Sequence, residues 1–348
     1  MTRRAVDARD ARIVGEWITG RHVAFRRAVF CASGAPTESA AAALTVDDVL
    51  LAPSGAPVAT AAQVVRYDGV FDEIGDVLHA AGHAVELQHY AAAAYVELVG
   101  PTAMRFLDAD GWRAFLADAD LAHASGVFTS PMTDSRLRLA DADVFADPFA
   151  STAPHVVHVH ADGRLTAGAQ GAVLGPADDI ADVLALPRSR WEALAGIAAA
   201  ADLMGDLAAR PWLGRFVYAA ELARSAGIEA SDLRIDGFGW SAVSDAGQGV
   251  APGAVARADD PFLVRTPGEV LLVDLRTRRR QRLPERTVRV VAAVQGSIDP
   301  AAAAERLART EGLSIDAARA MCAEAERLLG VRLGVQAADG SVDVGARA

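Results

Sequence analysis

The chain has 348 residues and a formal net charge of −11, with 52% hydrophobic and 23% charged residues. That composition excludes a disordered chain, and the net acidity disfavours binding of a polyanion by the molecule as a whole. The length favours two domains, each large enough to bury a core.

Every basic residue is Arg and Ala is abundant, a bias that reads as high-GC coding composition rather than function. Cys31 and Cys322 stand far apart without CxxC spacing, which argues against a disulfide framework and a thiolate zinc site. The opening "MTRRAVDARDARIVGEW" is charged and has no apolar centre, unlike a secretory signal. The apolar-looking "WEALAGIAAAADLMGDLAA" is interrupted by Asp202 and Asp206, so it predicts a soluble helix, not a membrane span. A soluble cytoplasmic protein is expected.

In chain order, "HVAFRRAVFCAS" (His22–Ser33) reads as a strand. "DEIGDVLHAAGHA" (Asp72–Ala84) has helical spacing at Ile74, Val77, Leu78 and Ala81. "YVELVG" (Tyr95–Gly100) reads as a strand and "GWRAFLADADLA" (Gly111–Ala122) as an amphipathic helix. "HVVHVHADGRLTAGA" (His155–Ala169) reads as a hairpin with Asp162-Gly163 as a two-residue type I′ turn. From Ser189 to Gly227 the chain reads as helical, with breaks near Gly205 and at Pro211. "DLRIDGFGWSAV" reads as a further strand or an extended loop. These pieces predict an α/β body over residues 1–243 within an overall α+β chain.

Residues 244–260 are rich in Gly, Ala, Asp and Pro, which suits a linker. Beyond them come three strands: "PFLVRTP" (Pro261–Pro267), "GEVLLVDLR" (Gly268–Arg276) and "RRRQRLP" (Arg278–Pro284). Three helices follow. "ERTVRVVAAVQ" is the first. The second has Asp299 as N-cap and Pro300 at its first position. The third has Ser314 as N-cap and Gly330 as its stop. "VRLGVQ" reads as a last strand able to form a hairpin with "SVDVG". Three strands and three helices over residues 261–348 are a winged helix-turn-helix plan.

Several constellations carry chemistry in other proteins. His79 and His83 at i and i+4 share a face if the segment is helical, but Ala80 stands where a zinc hydrolase has its Glu. His158 and His160 share a strand face with His155 opposite, and no third ligand is evident nearby. "GPTAMRF" and "VLGPADDI" read as helix starts able to meet an anion. Neither a P-loop, nor a G-x-G-x-x-G after a strand, nor a G-x-S-x-G occurs. No catalytic, metal or cofactor site is therefore assigned.

The C-terminal run resembles the PqqD-like RiPP recognition elements of peptide-modifying pathways. The resemblance lies in a strand pair ending in "LLVDLRTR" and a third strand ending in "RLP". It continues in a helix ending in "VQGSID" and two more helices closing on "LLG". Pro284 departs from the Asn usual in that family. The resemblance covers about a quarter of the chain. It implies a domain that takes the leader of a precursor peptide as an added strand on its third strand, against its third helix. The contacts expected are Thr277, Arg278, Arg279, Arg280, Gln281 and Arg282 on the strand. On the helix they are Ala317, Met321, Glu324 and Leu328, spaced along one stripe. The neighbouring stripe, Ile315, Ala318, Cys322, Ala325 and Leu329, reads as core. A charged edge is also ordinary protection against aggregation, and Met321 and Leu328 could equally be core.

From Pro261 onward there are 14 Arg against 11 Asp and Glu, a balance of +3 that leaves −14 for the first 260 residues. An acidic leader with apolar anchors is expected. The length, and the placing of the element behind a large α/β body, resemble the recognition proteins of daptide biosynthesis. That likeness implies partners: an oxidative decarboxylase acting on a C-terminal threonine, a PLP-dependent aminotransferase and an N-methyltransferase. Two other classes stay open. One is a RiPP-modifying enzyme with its site in the N-terminal body. The other is a winged-helix DNA-binding regulator, against which the third helix is acidic on balance.

Overall fold

The computed structural model describes residues 3–242 and 254–336. It is a mixed α and β protein in two compact units. One is the chain up to Ala119 together with Thr129–Ser225; the other is Asp120–Phe128 together with the chain from Ala226 onward. Most of the 244–260 segment, and the "SVDVG" segment, lie outside the described residues.

The first unit begins with α1 (Arg3–Thr19), β1 (Ala28–Cys31), α2 (Thr37–Ala42), β2 (Val49–Pro53) and β3 (Gln63–Gly69). Next come β4 (Val77–Ala80), β5 (His83–His89), β6 (Thr102–Arg105), α3 (Ala109–Ser125, which from Asp120 on belongs to the second unit), α4 (Ser130–Thr133) and β7 (Leu137–Leu139). Then follow β8 (Ser151–Thr152), β9 (Val156–Val159), β10 (Arg164–Ala167), β11 (Val173–Pro176), α5 (Ile180–Ala185), β12 (Arg188–Ser189), α6 (Ala200–Ala209) and α7 (Leu213–Ala226).

Ten of these strands form one sheet in the order β11-β10-β9-β1-β2-β3-β4-β5-β6-β7. Neighbours are parallel from β9 through β1 and β2 to β3, and again from β5 through β6 to β7. β4 runs antiparallel to both its neighbours, so β9, β1, β2, β3, β5, β6 and β7 all point the same way. Their carboxyl ends therefore lie along one rim of the sheet. The four residues of β1 are all buried, as expected for an apolar strand covered on both faces. On one face α1 supplies Ile13, Val14, Trp17 and Ile18 to a core shared with Phe30, Val49, Tyr67 and Leu87. On the other, α2 and α5 supply Ala40, Ala41, Ile180 and Val183 against Val29, Leu50 and Val157.

The helix over Gly111–Ala122 and the break at Pro211 are found as expected, whereas the strand expected over His22–Ser33 is confined to Ala28–Cys31. Asp72–Ala84 is not a helix. It contributes the hairpin β4–β5, closed by Ala81 (φ 52) and Gly82 (φ 76). Positive φ at both positions is the type I′ geometry. Leu78, Ala80, Val85 and Leu87 bury one set of alternate positions along the two strands. The apolar spacing of this short segment fits a period of two as well as 3.6. Tyr95–Gly100 is a turn region with Tyr95 and Val99 exposed, and the strand is β6. "GPTAMRF" is thus a strand and not a helix start.

The β9–β10 hairpin is present, but its turn is not type I′. Gly163 N–H donates to the His160 carbonyl at 2.9 Å and only Gly163 has positive φ. Ala161 and Asp162 are then the central pair of an ordinary turn, and Gly163 takes the left-handed residue that follows it. Gly205 lies inside α6 and does not break it.

The second unit contains β13 (Arg234–Ile235), β14 (Ala254–Val255), β15 (Phe262–Thr266), β16 (Glu269–Val273) and β17 (Arg280–Leu283). It continues with α8 (Glu285–Gln295), α9 (Pro300–Glu311), α10 (Ile315–Leu329) and β18 (Val335–Gln336). Four strands form an antiparallel sheet in the order β13-β15-β16-β17, and β18 pairs with β14. Leu263, Val270, Leu272 and Leu283 from this sheet share one core with Val288, Val291, Leu307, Ala318 and Cys322 of the three helices. Two caps read from sequence are made as expected. Asp299 accepts from Ala302 N–H at 2.8 Å and Ser314 accepts from Ala317 N–H at 3.3 Å. Among the described residues no helix is long and apolar enough to cross a membrane.

Candidate functional site

The arginine-rich segment splits into a turn and a short strand. Oδ1 of Asp274, just after β16, accepts from the N–H groups of Arg276 and Thr277, both at 2.9 Å. Those N–H groups are held by a carboxylate instead of a strand ladder. Asp274 N–H donates to the Arg279 carbonyl at 3.0 Å, and Arg278 between them sits at φ 57. Leu275, Arg276, Thr277 and Arg278 therefore form the turn, Arg279 closes it, and the strand starts only at Arg280. Of the contacts expected on the strand from Thr277 to Arg282, only Arg280, Gln281 and Arg282 lie on it.

Register fixes which way these three face. Gln281 pairs with Leu272 and Leu283 with Val270, which puts Gln281 on the face of the helix-backed core. Arg280 and Arg282 pair with Val273 and Leu271 on the opposite face, and Arg282 lies 3.5 Å from Glu269. The Asp274–Arg279 bond also fixes the phase of the ladder. Hydrogen-bonded pairs alternate in an antiparallel ladder, so Gln281 and Leu283 bond to β16 while Arg280 and Arg282 turn their N–H groups outward. β17 is the end strand of its sheet among the described residues, so that side meets no further strand.

On α10, Ala318, Cys322 and Ala325 are buried, and Met321 and Leu329 pack partly against the same core. Ala317 and Glu324 are exposed, as is Leu328 at 58%. Ile315, read as core, is also exposed. It is the first helical residue, where the stripe has run past the core. Arg286 at the start of α8 reaches Met321 Sδ at 3.9 Å, which places Met321 beside the chain leaving β17. Arg286 and Arg289 both pair with Glu311.

His83 shares the face of its partner Ala80, and His79 faces the other way, so the common helical face does not exist. His158 is buried, stacked 5.7 Å from Trp17 and tilted against Phe30 at 4.9 Å. Burial, and then the nearby Arg105, hold its ring well below the usual histidine range. His155 stacks on His22 at 3.8 Å and is pushed down to about 4, first by burial and then by His22. Among the described residues no group of three or more His, Cys, Asp or Glu is placed to hold a metal ion. Both cysteines are buried, and burial pushes Cys31 up to about 12, away from thiolate chemistry.

Two residues not singled out from sequence stand out in the fold. Arg105 ends β6 in a fully enclosed position, donates to the Phe71 carbonyl at 3.0 Å and stacks 4.8 Å from the Phe71 ring. Burial pushes it down to about 10. Asp141 follows β7 at φ 52 and borders a small cavity of about 60 Å³. Burial still dominates its carboxyl and pushes it up to about 7, with Arg105 pulling the other way. They come from different strand ends, so no local motif announces them. Compared with protein families, curated proteins and solved structures, the chain matches none.

Proposed function

We propose that this chain is a non-catalytic precursor-peptide recognition protein of a RiPP pathway. In this reading the second unit is a PqqD-like winged helix-turn-helix domain. It takes a leader peptide as a strand added to β17, beside α10, and presents the core peptide to modifying enzymes. The observation that carries the reading is β17 itself: an end strand among the described residues with an outward N–H group at Arg282, flanked by the Met321 side of α10. The exposed arginines of the turn and strand suit an acidic leader, and the partly buried Met321 gives an adaptable contact for an apolar side chain. A daptide pathway, with an oxidative decarboxylase as first partner, is the narrower form of the proposal. It rests on the placing of the element behind a large α/β body.

The test uses the full chain and a synthetic leader peptide taken from a short open reading frame adjacent to the gene. Fluorescence anisotropy is expected to show saturable binding that weakens with salt. Arg282→Pro removes an outward N–H and leaves the bonds to β16 in place, and it should weaken binding at least about tenfold. Arg279→Glu should weaken it and lessen its salt dependence. Binding indifferent to salt and to both substitutions would sink the proposal.

A further inference from the structure

The first unit carries a cleft that the peptide reading does not use. It has a volume of about 380 Å³, inside the range of roughly 300–1,000 Å³ typical of small-molecule sites. Its walls come from the segments that follow three strands of the parallel rim: Ser33 after β1, Phe71 and Asp72 after β3, and His160 after β9. In open α/β sheets ligands lie outside the carboxyl ends of strands, where neighbouring connections diverge. That divergence occurs here. The chain leaving β1 passes through α2 to β2 on one side, whereas β9 on the other side leads into β10.

The floor is aromatic. Phe30 and Tyr67 are buried and stacked at 5.0 Å, with Phe71 also buried beside the cleft. The Tyr67 hydroxyl donates to the Cys31 carbonyl at 2.6 Å, so it is already committed. The rim is negative. Asp162 and Arg164 lie 3.6 Å apart and offset each other, and Asp72 makes no ion pair among the described residues. Arg105 lies behind Phe71, outside the lining, and three carboxylates act on it: Asp141, Asp72 and Asp76. His160 Nε2 lies 2.9 Å from Thr166 Oγ1, whose own proton goes to the Gly168 carbonyl. His160 is therefore the donor in that pair, and its Nδ1 is left as an acceptor. The loop carrying Asp72 is held in place, since Asp76 Oδ2 accepts from the N–H groups of Asp72 and Glu73, both at 2.8 Å.

We infer that this cleft binds a small organic cation with an aromatic or apolar body, its ammonium group set against Asp72 and its body over Phe30, Tyr67 and Phe71. An aromatic floor and a carboxylate rim both favour a cation over an anion of the same shape. The acceptor at His160 suits an N–H donor. The site is independent of the leader-binding proposal and stands or falls without it.

Calorimetric titration of the full chain with phenethylamine and with phenylacetate tests the assignment. Phenethylamine should bind saturably at one site, and phenylacetate at least about tenfold more weakly. Asp72→Asn should weaken phenethylamine about tenfold and leave the circular dichroism spectrum of the folded chain unchanged, because Asp72 is exposed and its side chain makes no hydrogen bond or ion pair among the described residues. Val70→Trp, at a half-exposed lining position, should fill the cleft and abolish binding. No saturable heat at millimolar phenethylamine would overturn the inference. So would phenylacetate binding as tightly, or phenethylamine binding unmoved by both substitutions.

Discussion

Asp141 shows how a single residue can set a pH dependence. Its carboxyl is raised from 3.8 to about 7, chiefly by burial. Above about pH 4 the unfolded chain releases this proton while the folded chain keeps it until about 7. The folded state then binds more protons, so the contribution of Asp141 to stability is fully present below pH 4 and falls as pH rises to about 7. His155, pushed down to about 4, works in the opposite sense, adding stability as pH rises from there towards 6.5. Asp141→Asn keeps the side chain's shape and tolerates the φ of 52. Urea unfolding of both proteins should therefore show the variant gaining on the wild type between pH 4 and 7, with the His155 contribution cancelling in the difference. Parallel stability curves would contradict the burial of this carboxyl.

Elements were readable where local chemistry and packing agree. α9 and α10 carry their own caps at Asp299 and Ser314, and left-handed Gly312 and Gly330 stop them. The β4–β5 hairpin lacked such a signal, because its turn uses Ala81-Gly82 in place of Asn-Gly or Asp-Gly. The β17 strand is shorter than its arginine run suggests, because the Asp274 carboxylate, a side chain, takes the N–H groups of Arg276 and Thr277. Two glycines within helices separate propensity from packing. A Cβ at Gly205 in α6 meets nothing within 4 Å, and the position is exposed. Gly205→Ala should then stabilise by roughly 0.5–1 kcal/mol. A Cβ at Gly214 in α7 would fall 2.4 Å from the Phe145 carbonyl oxygen. Gly214→Ala has the same propensity gain but should lose roughly 1–3 kcal/mol net, as the backbone cannot yield cheaply. Chemical denaturation of the two variants distinguishes these opposite signs.

At the scale of the whole molecule, charge separates the proposed peptide partner of the basic strand from a nucleic acid, and the difference can be measured. The arginine run and its place before three helices were visible in sequence. The buried Arg105 and Asp141 were not, since the sheet order that sets their surroundings joins strands distant in sequence. A winged helix that reads DNA needs a cationic helix for phosphate and base edges. α10 carries Asp316, Glu324 and Glu326 against Arg319 and Arg327, and Arg319 is already 3.2 Å from Asp316. The chain as a whole adds −11. Polyanion binding is strongest at low salt, where this repulsion is also least screened. The full chain should therefore leave a random duplex unretarded in a gel shift at about 50 mM salt, the condition most favourable to such binding. The same arginines should still bind an acidic peptide, because strand addition supplies backbone hydrogen bonds that a duplex cannot offer. Retardation of the duplex that fades with added salt would instead make β17 and its arginines a phosphate-binding wing.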